Sequence, residues 1–176
     1  MSRLIVVHAV LLCAGYCLPH SSLAQSTLAS PPAFRVVAGE YGVPYSLLFA
    51  VALTESGRSN NGKFLPWPWT LNVRGESRWY ESRQAVVDDL RRLIAAGETP
   101  DVGLMQVNWR YHADRLGDPE QAVDPWFNLR AGASVLVDEY SDTGDWWKAV
   151  GRYHSRRPER AAHYTERVAG WYRKIH

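Results

Sequence analysis

Cysteine is nearly missing from this chain. Of 176 residues only Cys13 and Cys17 are cysteine, and both lie inside an apolar stretch at the N-terminus. If that stretch is removed on export, no disulfide, no thiolate nucleophile and no cysteine-dependent zinc site remains. A charge excess is missing too. The formal net charge is +2, and no basic stripe interleaves with aromatic residues, which argues against a nucleic-acid surface. There is no His-Glu-x-x-His segment, and His112, His154 and His163 do not fall at ligand spacing beside a glutamate, so a zinc peptidase is disfavoured. No Gly-x-Ser-x-Gly elbow is present, which disfavours a serine hydrolase. No cofactor and no metal is expected. No internal repeat or low-complexity segment stands out.

What is present is an ordinary globular balance, 46% hydrophobic and 22% charged. The length suits one domain with a real core, expected over 30–176 as a monomer. Eight Trp and nine Tyr are a heavy aromatic load; such rings fill cores, and they also line wide clefts that bind sugars. The first residues read as a secretory leader. Arg3 is the positive start, 4–17 is the apolar region, and Ser22-Leu23-Ala24 offers small residues for cleavage after Ala24. The apolar run is short for a membrane span; an uncleaved anchor is the alternative. Leu12 and Tyr16 precede the two cysteines where a lipoprotein would carry a small residue.

Glu55 is the most informative position. It ends the apolar run Leu47-Leu48-Phe49-Ala50-Val51-Ala52-Leu53-Thr54-Glu55. In a helix, Leu48, Val51, Ala52 and Glu55 share one face, which places a carboxylate toward the core. Burial raises a carboxyl pKa. Gly57 reads as the residue past the helix end, so Glu55 also sits at the negative end of the helix dipole. Both effects favour the protonated form near neutral pH, as a general acid requires. The competing reading is a rim carboxylate paired with Arg58.

The remaining pattern is mainly helical. Ser30-Pro31-Pro32 opens a helix with Phe34, Val37, Ala38 and Tyr41 on its apolar face, closed by Gly42; Pro44 starts the helix that carries Glu55. Residues 58–82 break the helical period. Within them Trp69-Thr70-Leu71-Asn72-Val73 and Arg78-Trp79-Tyr80 read as a hairpin around Arg74-Gly75-Glu76-Ser77. Ser82 caps a helix with Val86, Leu90, Leu93 and Ile94 inward and Gly97 at its end. The stretch 101–108 reads as non-helical, followed by a short helix to Leu116 ended by Gly117. Asp124-Pro125 opens a strong helix, Asp145 caps the next, and Pro158 opens the last, where Tyr164, Val168, Trp171 and Ile175 align.

Three segments are weak alone and specific in combination: Glu55-Ser56, Gly103-Leu104-Met105-Gln106-Val107-Asn108, and Ala149-Val150-Gly151-Arg152-Tyr153-His154. Singly, Met105 reads as core and Tyr153 as a buried aromatic with a satisfied hydroxyl. In this order, with Asp124-Pro125, Asn128-Leu129 and Ala131-Gly132 between the last two, the chain resembles the soluble lytic transglycosylase family from about Phe34 to about Tyr172. The resemblance implies a goose-lysozyme-like fold, mainly α with a small β-hairpin insertion. The Asp101-Val102 lead-in and the Ala-Val-Gly-x-Tyr-His motif look most like the small exported branch that accompanies conjugation, type IV secretion and pilus machines. Two features depart from the commoner pattern: His154 stands where many relatives have Asn, and the Trp-rich segment between Glu55 and Gly103 is longer than in compact relatives.

Carried over by motif, the resemblance makes Glu55 the single acid/base, with Ser56, Met105, Gln106 and Tyr153 binding substrate and Tyr153 beside the catalytic carboxyl. It implies cleavage of the β-1,4 bond between N-acetylmuramic acid and N-acetylglucosamine in peptidoglycan, with a 1,6-anhydro product, in the periplasm. Glycan strands are the expected partner, with components of a secretion or conjugation machine as further partners. Two other readings stand beside it. One is a lysozyme-type hydrolase, for which Asp101 is the best second carboxylate. The other is a non-catalytic wall-binding assembly factor.

Overall fold

The computed structural model describes residues 31–175. The expected leader at 1–24 lies outside the described residues. The architecture within them is mainly helical and lysozyme-like, with small antiparallel sheets.

The fold is built around α2 (Tyr45–Ser56), which follows α1 (Pro32–Tyr41) after a left-handed Gly42. The one-sided apolar face expected for α2 is not what forms. Every residue from Ser46 to Thr54 is buried, so the helix is enclosed all round. Its composition explains this: Leu, Phe, Ala and Val occupy all sides of 47–53, and a helix apolar all round belongs inside a core. Glu55 is the partly exposed residue of that inner stretch. It marks where the central helix emerges into a cleft.

α8 (Pro158–Ile175) packs on α2, α7 (Trp146–His154) is seated on both α8 and α6 (Pro125–Thr143), and α1 packs on both α2 and α6. The caps read from sequence form: Asp124 accepts from the Phe127 N–H at 2.9 Å, Asp145 from the Trp147 N–H at 2.8 Å, and Ser82 from the Ala85 N–H at 3.2 Å at the head of α3 (Arg83–Ala95). Much of the aromatic load closes seams: Phe64 stacks on Trp171 at 4.7 Å and Tyr140 on Trp146 at 4.0 Å between ring centres.

The β structure exceeds the single expected hairpin. β1 (Gly57–Asn60) and β2 (Lys63–Pro66) form a first hairpin through Asn61 and Gly62, both at positive φ. The expected hairpin is β3 (Thr70–Val73) and β4 (Glu76–Trp79), with its turn at Arg74-Gly75. It does not stand alone. β5 (Asp101–Val102) and β6 (Val107–Asn108) add to it in the order β4-β3-β5-β6. Leu71, Val73, Val102 and Val107 point into the core and are buried. Asn72, Ser77, Asp101 and Asn108 alternate to the other face. The chain then enters α4 (Trp109–Leu116) and the short α5 (Pro119–Ala122), which was not expected from sequence.

Candidate active site

The polar face of the four-stranded sheet forms one wall of a cavity of about 510 Å³. Asn72, Ser77, Asp101 and Asn108 supply that wall. Thr54 and Glu55 come from the end of α2, Gln106 from the β5–β6 loop, Val107 from β6, and Tyr111 and His112 from α4. Tyr153, His154 and Arg167 close the helical side.

The Glu55 carboxyl lies against α8. The Tyr164 hydroxyl donates to Glu55 Oε1 at 2.5 Å, leaving Oε2 as the oxygen able to carry the proton. Tyr164 is itself buried, with its ring stacked on His154 at 4.6 Å and nearly parallel. Burial pushes the Glu55 pKa up from its ordinary 4.5 to about 7. The Tyr164 hydrogen bond and the Arg167 charge oppose that rise, and the Asp101 charge adds to it. The residue keeps partial exposure on its cleft side, so the carboxyl is enclosed by protein yet reachable from the cavity. Arg167 is anchored beside it by donating to the Thr54 carbonyl at 3.2 Å. The rim ion pair with Arg58 does not form, because Arg58 pairs with Glu81 at 3.0 Å.

The other expected residues divide in two. Gln106 and Tyr153 line the cavity with Glu55. Gln106 sits at positive φ and donates from Nε2 to the Gly103 carbonyl at 2.9 Å. Tyr153 donates its hydroxyl to the Met105 carbonyl at 2.7 Å, and the hydroxyl that bonds the Glu55 carboxyl is that of Tyr164. Burial and the Glu55 charge keep the Tyr153 hydroxyl protonated, far above the usual tyrosine range. Ser56 and Met105 lie beneath the cavity and differ from the expected sugar contacts. Ser56 is fully buried and donates to the Leu104 carbonyl at 2.7 Å, which ties the end of α2 to the motif loop. Met105 is fully buried against Gly132 of α6, where an added Cβ would meet the Met105 side chain at 2.5 Å.

Asp101 is borne on β5. It faces the cavity, accepts from Asn108 Nδ2 at 2.7 Å, and burial raises its pKa. Among the described residues no group of three His, Cys, Asp or Glu side chains converges as a metal site would require.

The sequence model of the transglycosylase SLT domain matches residues 32–159, well over half the chain, and spans Glu55, the 103–108 loop and Tyr153. The chain belongs to the transglycosylase SLT domain family. Members of that family are lytic transglycosylases that act on peptidoglycan. No curated protein and no solved structure matches the chain.

In this SLT domain two supporting residues escaped the sequence reading. Tyr164 holds the acid from 109 positions away along the chain. Its signal was present as a member of the inward stripe of α8, but periodicity does not say what a hydroxyl reaches. Asn128 is fully buried and makes three bonds. Its Oδ1 accepts from the Met105 N–H, and its Nδ2 donates to the Val102 and Ala122 carbonyls, each at 2.9 Å. It pins the motif loop to α6. Gly103 at the loop's start is at φ +77, and a Cβ there would meet the Asn128 amide at 2.6 Å, so only glycine permits the approach.

Proposed function

We propose that this chain is a peptidoglycan lytic transglycosylase with Glu55 as its single acid/base. The observation that carries the reading is the enclosed, cleft-facing Glu55 carboxyl, raised to about 7 and oriented by Tyr164. An acid with a pKa near ambient pH both gives and takes a proton efficiently. Glu55 donates its proton to the oxygen between N-acetylmuramic acid C1 and the next N-acetylglucosamine. That C1–O bond breaks and the N-acetylglucosamine portion leaves with a free hydroxyl. The substrate's own N-acetyl group stabilises the oxocarbenium-like carbon. The Glu55 carboxylate then removes the proton from the 6-hydroxyl as O6 bonds to C1, which closes the 1,6-anhydro ring and restores the acid. The nucleophile is already attached to the substrate, so no second carboxylate is needed to activate water.

Asp101 keeps a hydrolase reading alive, because it faces the same cavity. Its carboxylate is engaged by the Asn108 amide, which competes with water for the same oxygen and weakens it as a base. Mass spectrometry of products released from purified peptidoglycan decides between the two. The proposal expects anhydro-ended muropeptides; products heavier by one water identify a hydrolase. We also propose that the protein is exported to the periplasm and opens the wall locally for a secretion, conjugation or pilus machine. Export rests on the leader read over residues 1–24, and the association with such a machine on the motif variants at 101–108 and 149–154. Fractionation of cells producing the full chain tests the location: recovery in the periplasmic fraction supports it, and retention in the cytoplasm contradicts it.

A further inference from the structure

The Trp-rich segment has a part that packing does not account for. The sheet register sets Ser77 opposite Asn72, Asn72 opposite Asp101 and Asp101 opposite Asn108. These four side chains form one row across the cleft wall, roughly 14 Å long at ~4.8 Å per strand. An exposed aromatic ring stands at each end. Trp79 lies two residues beyond Ser77 on the edge strand, hence on the same face, and is 39% exposed. Tyr111 follows Asn108 in the first turn of α4, lines the cavity and is 73% exposed.

Trp79 is braced from behind. The Arg58 guanidinium lies 5.7 Å from its ring centre and 4.8 Å from that of Trp67. Arg58 is held by Glu81, and the Trp67 indole N–H donates to the Tyr80 carbonyl at 2.9 Å. A braced ring loses little freedom when a ligand lands on it. Rings with an apolar face and a polar tip suit a pyranose, whose C–H face is rimmed by hydroxyls.

We propose that Trp79 and Tyr111 are stacking platforms for two separate sugar rings of one glycan strand laid along the polar row. This rests on the glycan-cleaving reading above. Continuity with the Glu55 cavity favours a glycan over a protein partner as the occupant. A span of that length is bridged by an oligosaccharide and not by a single sugar, so affinity must grow with chain length.

The test is calorimetric binding of β-1,4-linked N-acetylglucosamine oligomers, short and long, to the mature Glu55→Gln protein, with and without Trp79→Ala or Tyr111→Ala. Circular dichroism verifies folding. Long oligomers are expected to bind the Glu55→Gln protein more tightly than short ones. Each alanine change is expected to weaken long-oligomer binding about threefold to tenfold, with Trp79→Phe and Tyr111→Phe restoring most of it. Unchanged affinity in both alanine variants overturns the assignment, leaves the Glu55 reading standing, and turns attention to a protein partner for these rings. Failure of the Glu55→Gln protein to bind any oligomer overturns the glycan reading beneath it.

Discussion

Glu55 is held where a carboxyl is least comfortable as an anion, and that discomfort has a measurable sign. The folded protein binds its proton more tightly than the unfolded chain, whose carboxyl titrates near 4.5, while the native group titrates near 7. Between those values the native state holds more protons, so stability falls as pH rises from about 4.5 to about 7 and is flat beyond. The loss amounts to roughly 3 kcal/mol, because each tenfold gain in proton affinity is worth ~1.4 kcal/mol. Glu55→Gln should abolish lysis yet remove most of that slope, which chemical denaturation of both proteins at pH 5 and pH 8 will read. The neighbours push in opposite directions. Tyr164 stabilises the anion, so Tyr164→Phe should move the alkaline limb of the pH–rate profile to higher pH. Asp101 destabilises the anion, so Asp101→Asn should move it to lower pH. Displacements of the same sign in both variants would contradict this electrostatic picture.

At the scale of elements, the motif loop between β5 and β6 is fixed from below rather than by its own sequence. Asn128 satisfies one N–H and two carbonyls inside the core. Asn128→Ala should therefore cost about 3 kcal/mol or more, because buried backbone groups are left unpaired; a denaturant midpoint unchanged from wild type would refute the assigned role. Gly103→Ala should also destabilise, through its positive φ and its clash with the same amide. The helices other than α5 were legible in the sequence because caps and terminators are local: Ser82, Asp124, Asp145 and Gly42 act within a few residues of themselves. The β1–β2 hairpin carries a strong turn signal in Asn61-Gly62, but its strands Gly57–Asn60 and Lys63–Pro66 lack the apolar–polar alternation that marks a strand. β5 and β6 were not legible, since two-residue strands carry no period: β5 exists by pairing with β3 some thirty residues away, and β6 by pairing with β5. For the site, Glu55, Gln106 and Tyr153 were placed together by motif order. That Ser56 and Met105 turn inward, and that Tyr164 rather than Tyr153 bonds the acid, depends on side-chain directions that only tertiary packing decides.

The whole molecule is a helical body whose central helix ends at a cleft, faced by a sheet that is apolar inside and polar outside. Among the described residues no single helix is long and apolar enough to cross a membrane. The two halves of the cleft wall come from distant parts of the chain, so the acid exists as an acid only in the folded state. The pH dependence of kcat/KM for release of muropeptides from purified peptidoglycan, by the wild-type protein and by Glu55→Gln, tests this most directly. Wild-type activity is expected to decline as pH rises through about 7, with none at any pH in a folded Glu55→Gln variant. A folded Glu55→Gln protein that still releases product, or a wild-type alkaline limb absent until far above neutral pH, would contradict it.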